Sequence, residues 1–159
     1  MNFSDKAILF LAKGGHAGDI PFAPGTFGTI VGLLPCFLLS EMNPNGALFL
    51  MILFIGCAVL IAHRAETLLK QKDPGCIVID EIAGLMVTLW SLPFNTLSVI
   101  SGFILFRFFD ILKPFPIRLI EKKISGGAGI VMDDVAAGVY SHLAVRIVLY
   151  IGKFITSLN

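Results

Sequence analysis

Long apolar runs, separated by short polar or Gly/Pro-rich segments, dominate this sequence. The runs cover residues 26–40, 47–62, 77–92, 97–112 and 130–155. The turns at 41–46 and 93–96 contain the Pro and Asn residues that interrupt helices. Because one membrane crossing needs about 20 apolar residues, the pattern predicts an all-α bundle of about four or five membrane helices. The run 26–40 is short and contains Pro35, so it either crosses or re-enters.

Two shorter segments mix charged and apolar positions. Residues 7–12 lie between Lys6 and Lys13, and residues 117–124 place three isoleucines among basic and acidic side chains. Amphipathic segments of this length are typical of helices that lie at a membrane surface. We therefore expect short interfacial helices beside the spanning ones.

The composition supports a membrane protein. Hydrophobic residues make up 56% of the 159 residues and charged residues 14%, and the mean hydropathy is +0.87. This predicts one membrane-embedded domain over residues 1–159. A net charge of +1 without a basic block gives no support for a nucleic-acid partner. Cys36, Cys57 and Cys76 lack metal-site spacing and are expected to be small buried apolar residues. Nothing in the sequence indicates an oligomeric state.

Two similar acidic pairs each begin an apolar stretch. Asp80-Glu81 precedes Ile-Ala-Gly, and Asp133-Asp134 precedes Val-Ala-Ala-Gly. An ionised carboxylate in apolar surroundings costs several kcal/mol unless a positive charge neutralises it. A divalent metal ion would supply that charge. The alternative is that the acids only cap helices, which explains one acid per helix better than two.

The order of the runs predicts where these acids lie. If every run crosses once, both acidic pairs, Asp110, and the basic segments 63–72 and 118–123 fall on one side of the membrane. The turns 41–46 and 93–96 fall on the other side. Nearly all Lys and Arg residues lie on the first side, so the positive-inside rule makes it cytoplasmic.

Residue chemistry then indicates a metal site and a phosphate site. The candidate metal ligands are hard carboxylate oxygens, which favour Mg²⁺ over Zn²⁺: Asp80, Glu81, Asp110, Asp133 and Asp134. The candidate phosphate-binding residues belong to a Gly/Thr loop and a basic pair: Gly25, Thr26, Gly28, Thr29, Arg107 and Lys113. The loop has a competing interpretation as a helix-capping turn, and Arg107 has one as the ion-pair partner of Asp110. Together these features favour chemistry on a phosphorylated lipid.

Four motifs in this order resemble the phosphatidylglycerophosphatase A family. They are PGTFGT at 24–29, DPG at 73–75 with IVIDEIAG at 77–84, FRFFDILKPFPI at 106–117, and GGAGIVMDDVAAG at 126–138. The resemblance implies a magnesium-dependent enzyme of the bacterial inner membrane that converts phosphatidylglycerol phosphate to phosphatidylglycerol. One departure is Cys76, where the family often has an acid.

The expected mechanism is metal-assisted attack of water on a phosphomonoester. Mg²⁺ held by the acids would activate the water, and the catalytic residues would be Asp80, Asp133, Asp134 and Lys113. One alternative is a cation transporter or channel with acids along an ion path. The other is a lipid phosphotransferase that uses an alcohol in place of water. The transporter predicts acids spread through membrane depth, whereas the enzymes predict acids at one face.

Overall fold

The computed structural model describes residues 2–157, which form helices joined by turns and irregular segments and contain no strand. It confirms the all-α prediction. The helices are α1 (Phe3–Ala12), α2 (Pro24–Ser40), α3 (Pro44–Leu69), α4 (Ile79–Leu89), α5 (Thr96–Leu112), α6 (Ile117–Lys123) and α7 (Gly127–Thr156). A short 3-10 turn, Ala17–Asp19, connects α1 towards α2.

The long helices alternate in direction, so their termini collect at two ends of the bundle. At one end, Gly25 at the start of α2 lies against Glu81 in α4, and Gly127 at the start of α7 lies against Val59 and His63 in α3. We call this the acidic end. At the opposite end, which we call the far end, the turns after α2 and α4 meet around a cavity of about 300 Å³. The alternation therefore agrees with the crossing order expected from the runs.

Helix α4 is the buried centre of the bundle. Nine of its 11 residues are buried, and α2, α3, α5 and α7 surround it. The apolar run 77–92 predicts a full span, but α4 ends at Leu89, where Trp90 takes up an extended ψ and Ser91 a positive φ. Eleven residues reach only about 17 Å, less than the roughly 30 Å hydrocarbon thickness.

Two helices among the described residues are long and apolar enough to cross a membrane, α3 and α7. Only 22% of the most apolar stretch of each is buried, so most of their apolar side chains face outward. In a core helix of a soluble protein, most of the apolar side chains would be buried. The 17 residues of α2 and of α5 reach about 26 Å. The expected four or five membrane helices are therefore not confirmed as full-length spans.

The helices begin differently at the two ends. At the far end, the Asn43 side chain accepts a hydrogen bond from the Gly46 N–H at 2.8 Å, and the Asn95 side chain accepts one from the Ser98 N–H at 3.0 Å. These caps begin α3 and α5. At the acidic end, α2, α4 and α7 begin at Ala23, Val78 and Gly126, which make no side-chain cap.

The surface elements agree in part with the sequence. Both amphipathic segments form short helices, α1 and α6, and α1 exposes Phe3, Phe10 and Leu11. The cysteines are all free, but the expectation that they are buried is right only for Cys36. Cys57 is exposed because it lies on the outward apolar face of α3.

Candidate active site

Three carboxylates from two helices meet at the acidic end. Asp80 and Glu81 lie in the first turn of α4, and Asp134 lies in α7. One oxygen from each lies within 4.8 Å of the others, and this is the group of potential metal ligands found among residues 2–157. Asp80 Oδ1 and Glu81 Oε2 are buried without a hydrogen-bond partner. We call these three residues the carboxylate triad.

Close packing of α4 on α7 explains which acids meet. A Cβ atom at Gly138 would overlap the carbonyl oxygen of Gly84, and one at Gly84 would lie 2.7 Å from the carbonyl oxygen of Asp134. Each glycine follows a triad acid by four residues, one helical turn. We call this close contact of Gly84 in α4 with Gly138 in α7 the glycine crossing. It places Asp80 next to Asp134, although the sequence repeat aligns Asp80 with Asp133.

Asp133 faces a cation outside the triad. Its Oδ2 accepts a hydrogen bond from Lys113 Nζ at 2.6 Å, and Lys113 Nζ also lies 3.1 Å from Glu121 Oε1. Burial lowers the pKa of Lys113, but the carboxylates of Asp133 and Glu121 more than offset this and raise it overall. Lys113 follows the last residue of α5 and has a positive φ of 44°, a strained backbone conformation for a residue other than glycine. Lys113 is therefore held as a charged donor beside the triad.

Arg107 and Asp110 extend the triad on its other side. Arg107 Nη1 donates to Asp110 Oδ2 at 2.6 Å and lies 3.7 Å from Glu81 Oε1. The ion pair within α5 is therefore present, and the same guanidinium also reaches the triad. Arg107 Nε is buried without a partner.

The Gly/Thr loop contributes one glycine to the site. A Cβ atom at Gly25 would overlap Glu81 Oε1 and lie 3.0 Å from both terminal nitrogens of Arg107. Only glycine lets the start of α2 approach this closely. Gly28 instead packs on Val78, and the buried Thr29 hydroxyl donates to the Gly25 carbonyl at 2.8 Å. Thr26 is half-buried at the helix start.

The predicted substrate-binding residues thus divide into two groups. Gly25 and Arg107 lie beside the triad, and Thr26 follows Gly25 in the first turn of α2. Gly28 and Thr29 serve the packing of α2 on α4, and the structure gives no support for their contact with a substrate.

The charge balance of the site favours a divalent cation. Five carboxylates, those of the triad with Asp110 and Asp133, face the two cations Arg107 and Lys113. Three uncompensated negative charges in a largely buried site would cost many kcal/mol. Asp80 and Glu81 each bury an unpaired carboxylate oxygen, and both residues belong to the group whose oxygens lie within 4.8 Å of one another. Such hard oxygen ligands are the kind that Mg²⁺ prefers. The residues present therefore fit a magnesium ion.

The structure adds residues that the sequence did not single out. Glu121 of α6 contacts Lys113, and a polar groove of about 470 Å³ beside it contains Glu66, Asp73 and Asp133. Burial raises the pKa of Asp73, although the charge of Lys113 opposes the shift. The sequence signals for these residues are indirect: Glu121 belongs to the amphipathic charge pattern of α6, and Asp73 belongs to the DPG motif at 73–75.

Position 76 is not part of the carboxylate triad and packs against the 3-10 turn, where a Cβ atom at Gly18 would overlap the Cys76 carbonyl oxygen. Cys76 is close enough to Lys13 to influence it electrostatically, and Lys13 already pairs with Asp19 at 2.5 Å. An acid at position 76 would therefore face Lys13. The departure at Cys76 leaves the carboxylate triad complete.

Comparison with known proteins gives one family. The model for phosphatidylglycerophosphatase A matches residues 10–149. The chain is 37% identical to phosphatidylglycerophosphatase A of Haemophilus influenzae over 90% of this chain and 89% of that protein. It is 36% identical to phosphatidylglycerophosphatase A of Escherichia coli over 82% of this chain and 77% of that protein. A Bacteroides thetaiotaomicron protein, named provisionally as a phosphatidylinositol-3-phosphatase, is 34% identical over 90% of this chain and 94% of its own length. No solved structure matches.

Proposed function

We propose, since the chain belongs to the phosphatidylglycerophosphatase A family, that it hydrolyses phosphatidylglycerol phosphate to phosphatidylglycerol and inorganic phosphate. The observation that carries this proposal is the carboxylate triad, whose oxygens lie within 4.8 Å of one another. It stands beside two cations, Arg107 and Lys113, at one end of an apolar bundle. A negatively charged phosphate and a divalent cation together complement this set of charges.

Asp80, Glu81 and Asp134 would hold Mg²⁺, with Asp110 fixing Arg107 beside them by its hydrogen bond. When bound, the ion supplies Lewis acidity towards the phosphate and lowers the pKa of a water molecule. The chain contributes orientation and charge. Burial of the triad excludes bulk water, which strengthens each electrostatic contact within the site.

The remaining residues neutralise the phosphate and accept a proton. Lys113 and Arg107 carry fixed positive charge on two sides of the triad, where the phosphate oxygens gain negative charge. Asp133 is the carboxylate best placed to exchange a proton, because it lies next to Asp134. Its partner Lys113 would turn towards the bound phosphate and leave the Asp133 carboxylate free to accept the proton. Gly25 lets the uncapped start of α2 approach Glu81 and Arg107 closely, so its free N–H groups lie beside the site where the phosphate would bind.

The same proposal places the protein in the bacterial inner membrane as a multi-pass, single-domain enzyme with the acidic end in the cytoplasm. The outward apolar faces of α3 and α7 support insertion. Of the 12 Lys and Arg residues, all but Arg146 and Lys153 belong to segments at the acidic end. This distribution matches the positive-inside rule.

The clustering of acids at one end argues against a transporter or channel, whose acids would line a path through the bundle. A phosphotransferase would share the same triad and differ only in its acceptor. The identity of the products separates it from a phosphatase.

Phosphate release from phosphatidylglycerol phosphate by purified protein in mixed micelles tests the proposal. We expect release that requires Mg²⁺, stops with EDTA and returns when Mg²⁺ is restored. Phosphatidylinositol 3-phosphate, the substrate named for the Bacteroides relative, is the comparison substrate. Faster release from that lipid, or phosphate recovered on an added alcohol instead of in water, would contradict the proposal.

A further inference from the structure

We propose that a groove between the end of α5 and helix α6 binds the phosphodiester of the substrate lipid. The inference rests on the proposed function and extends it, because it assigns the second phosphate of the same substrate. The groove has a volume of about 370 Å³ and is lined by Leu112, Lys113, Pro114, Phe115, Arg118, Leu119 and Lys122. We call it the diester groove.

The charges of the diester groove suit an anion. Its lining contains three cations, Lys113, Arg118 and Lys122, and no acid. Arg118 and Lys122 are four residues apart on α6, so their side chains lie on the same helix face. Arg118 Nη2 lies 3.4 Å from the Leu112 carbonyl oxygen, which places the guanidinium across the groove towards α5.

The apolar part of the lining suits lipid chains. Leu112, Phe115 and Leu119 are 51%, 79% and 40% exposed. Large apolar side chains exposed beside cations are typical of a membrane interface, where cations meet headgroup phosphates and apolar residues meet acyl chains. The lining therefore offers both chemistries that a phospholipid carries.

Lys113 connects the diester groove to the carboxylate triad. Lys113 lines the groove, and its Nζ atom lies 2.6 Å from Oδ2 of Asp133, the neighbour of Asp134. Phosphatidylglycerol phosphate carries a terminal monoester and a diester, joined by one glycerol unit. With the monoester at the triad, the glycerol passes Lys113 and the diester reaches Arg118 and Lys122. These two residues then determine affinity and take no part in bond breaking.

The test replaces the two outer cations and measures two quantities. For Arg118→Gln combined with Lys122→Gln, we expect KM for phosphatidylglycerol phosphate to rise about tenfold while kcat stays within twofold. Binding of short-chain phosphatidylglycerol, which keeps the diester and lacks the monoester, should weaken by a similar factor in calorimetry. Lys123→Gln removes one positive charge from the same helix outside the groove and should change neither quantity, whereas the single variant Lys122→Gln, with the same change of charge, should change both. Arg118→Lys with Lys122 intact should restore most of the affinity.

Each outcome separates this inference from the proposed function. Unchanged KM and unchanged phosphatidylglycerol binding in the double variant would overturn the groove assignment while hydrolysis remains. An equal loss in Lys123→Gln would do the same, because general surface charge would then explain the effect. Weakened phosphatidylglycerol binding without any hydrolysis by the unmodified protein would support the groove and overturn the phosphatase.

Discussion

The two ends of the bundle satisfy their polar groups in different ways. At the far end, Asn43 and Asn95 cap α3 and α5 with hydrogen bonds inside their own helices. At the acidic end, α2, α4 and α7 begin without side-chain caps, and oxygens of Asp80 and Glu81 are buried without partners. The far end also buries two polar atoms without a partner, Trp90 Nε1 and Ser98 Oγ, but both are neutral, whereas the acidic end buries carboxylate oxygens that call for a cation.

This difference between the two ends indicates which end of the bundle binds a ligand. Local caps stabilise a helix by about 1 kcal/mol each and need no other molecule. Buried unpaired carboxylates destabilise the fold, and proteins retain such groups where they bind a ligand or act in catalysis. Substitutions at the acidic end should therefore change activity more than stability, and those at the far end the reverse.

The largest effect is expected at the triad. Asp80→Asn and Asp134→Asn should each reduce phosphate release roughly a thousandfold, because each removes a ligand charge without changing side-chain shape. Thermal stability in detergent should stay equal or rise, since a buried charge is lost. Glu41→Gln, an exposed acid at the far end, is the control and should leave both quantities unchanged. Near-normal activity in both triad variants would mean that the acids are structural.

Lys113 and Asp133 should show an intermediate and shared effect. Lys113→Met and Asp133→Asn should each lower kcat about tenfold to a hundredfold, because they form one ion pair beside the triad. The double variant should be little worse than either single variant, which steady-state kinetics can measure as a double-mutant cycle. Fully additive losses would show that the two residues act independently.

The glycine crossing connects stability with the site. Gly84→Ala should lower the free energy of unfolding by about 2 kcal/mol, because the methyl group would overlap the Phe106 ring and approach the Asp134 carbonyl. Gly56→Ala is the matched control: it lies within α3 with open space around it and should be neutral or stabilising by about 0.5 kcal/mol. Denaturation in detergent compares the two. Equal behaviour would contradict the close approach of α4 and α7.

The smallest effect is expected at the far-end caps. Asn95→Ala should lower stability by about 1 kcal/mol through the lost hydrogen bond to Ser98. Its kcat and KM should match those of the unmodified protein. A clear loss of activity at equal folded fraction would show that the two ends are coupled.

The sequence predicted much of this arrangement and missed what depends on packing. Breakers and apolar runs predicted the helices, and alternation of the runs predicted that the acids share one end. The register of the acids could not be read from the repeat, since the glycine crossing, and not the acidic pairs, aligns α4 with α7. The sequence also did not predict that α4 ends at Leu89, because an apolar run is typical of a buried helix as well as of a membrane-spanning one.

The site shows the same division. Resemblance and residue chemistry predicted five metal ligands, of which the structure groups Asp80, Glu81 and Asp134. Asp110 and Asp133 instead form ion pairs with Arg107 and Lys113. Glu121 was missed because its contact with Lys113 joins a short helix to the end of another. Thr29 was proposed for substrate binding from its motif, and its hydroxyl instead donates within α2.

Binding of Mn²⁺, a spectroscopic substitute for Mg²⁺, tests whether the carboxylate triad holds a divalent cation. Electron paramagnetic resonance can measure free Mn²⁺ during titration of the detergent-solubilised protein, independently of turnover. We expect saturable Mn²⁺ binding by the unmodified protein. This binding should be lost in Asp134→Asn and kept in Asp133→Asn, because of these two residues only Asp134 belongs to the triad. Equal Mn²⁺ affinity in the unmodified protein and Asp134→Asn would contradict this expectation.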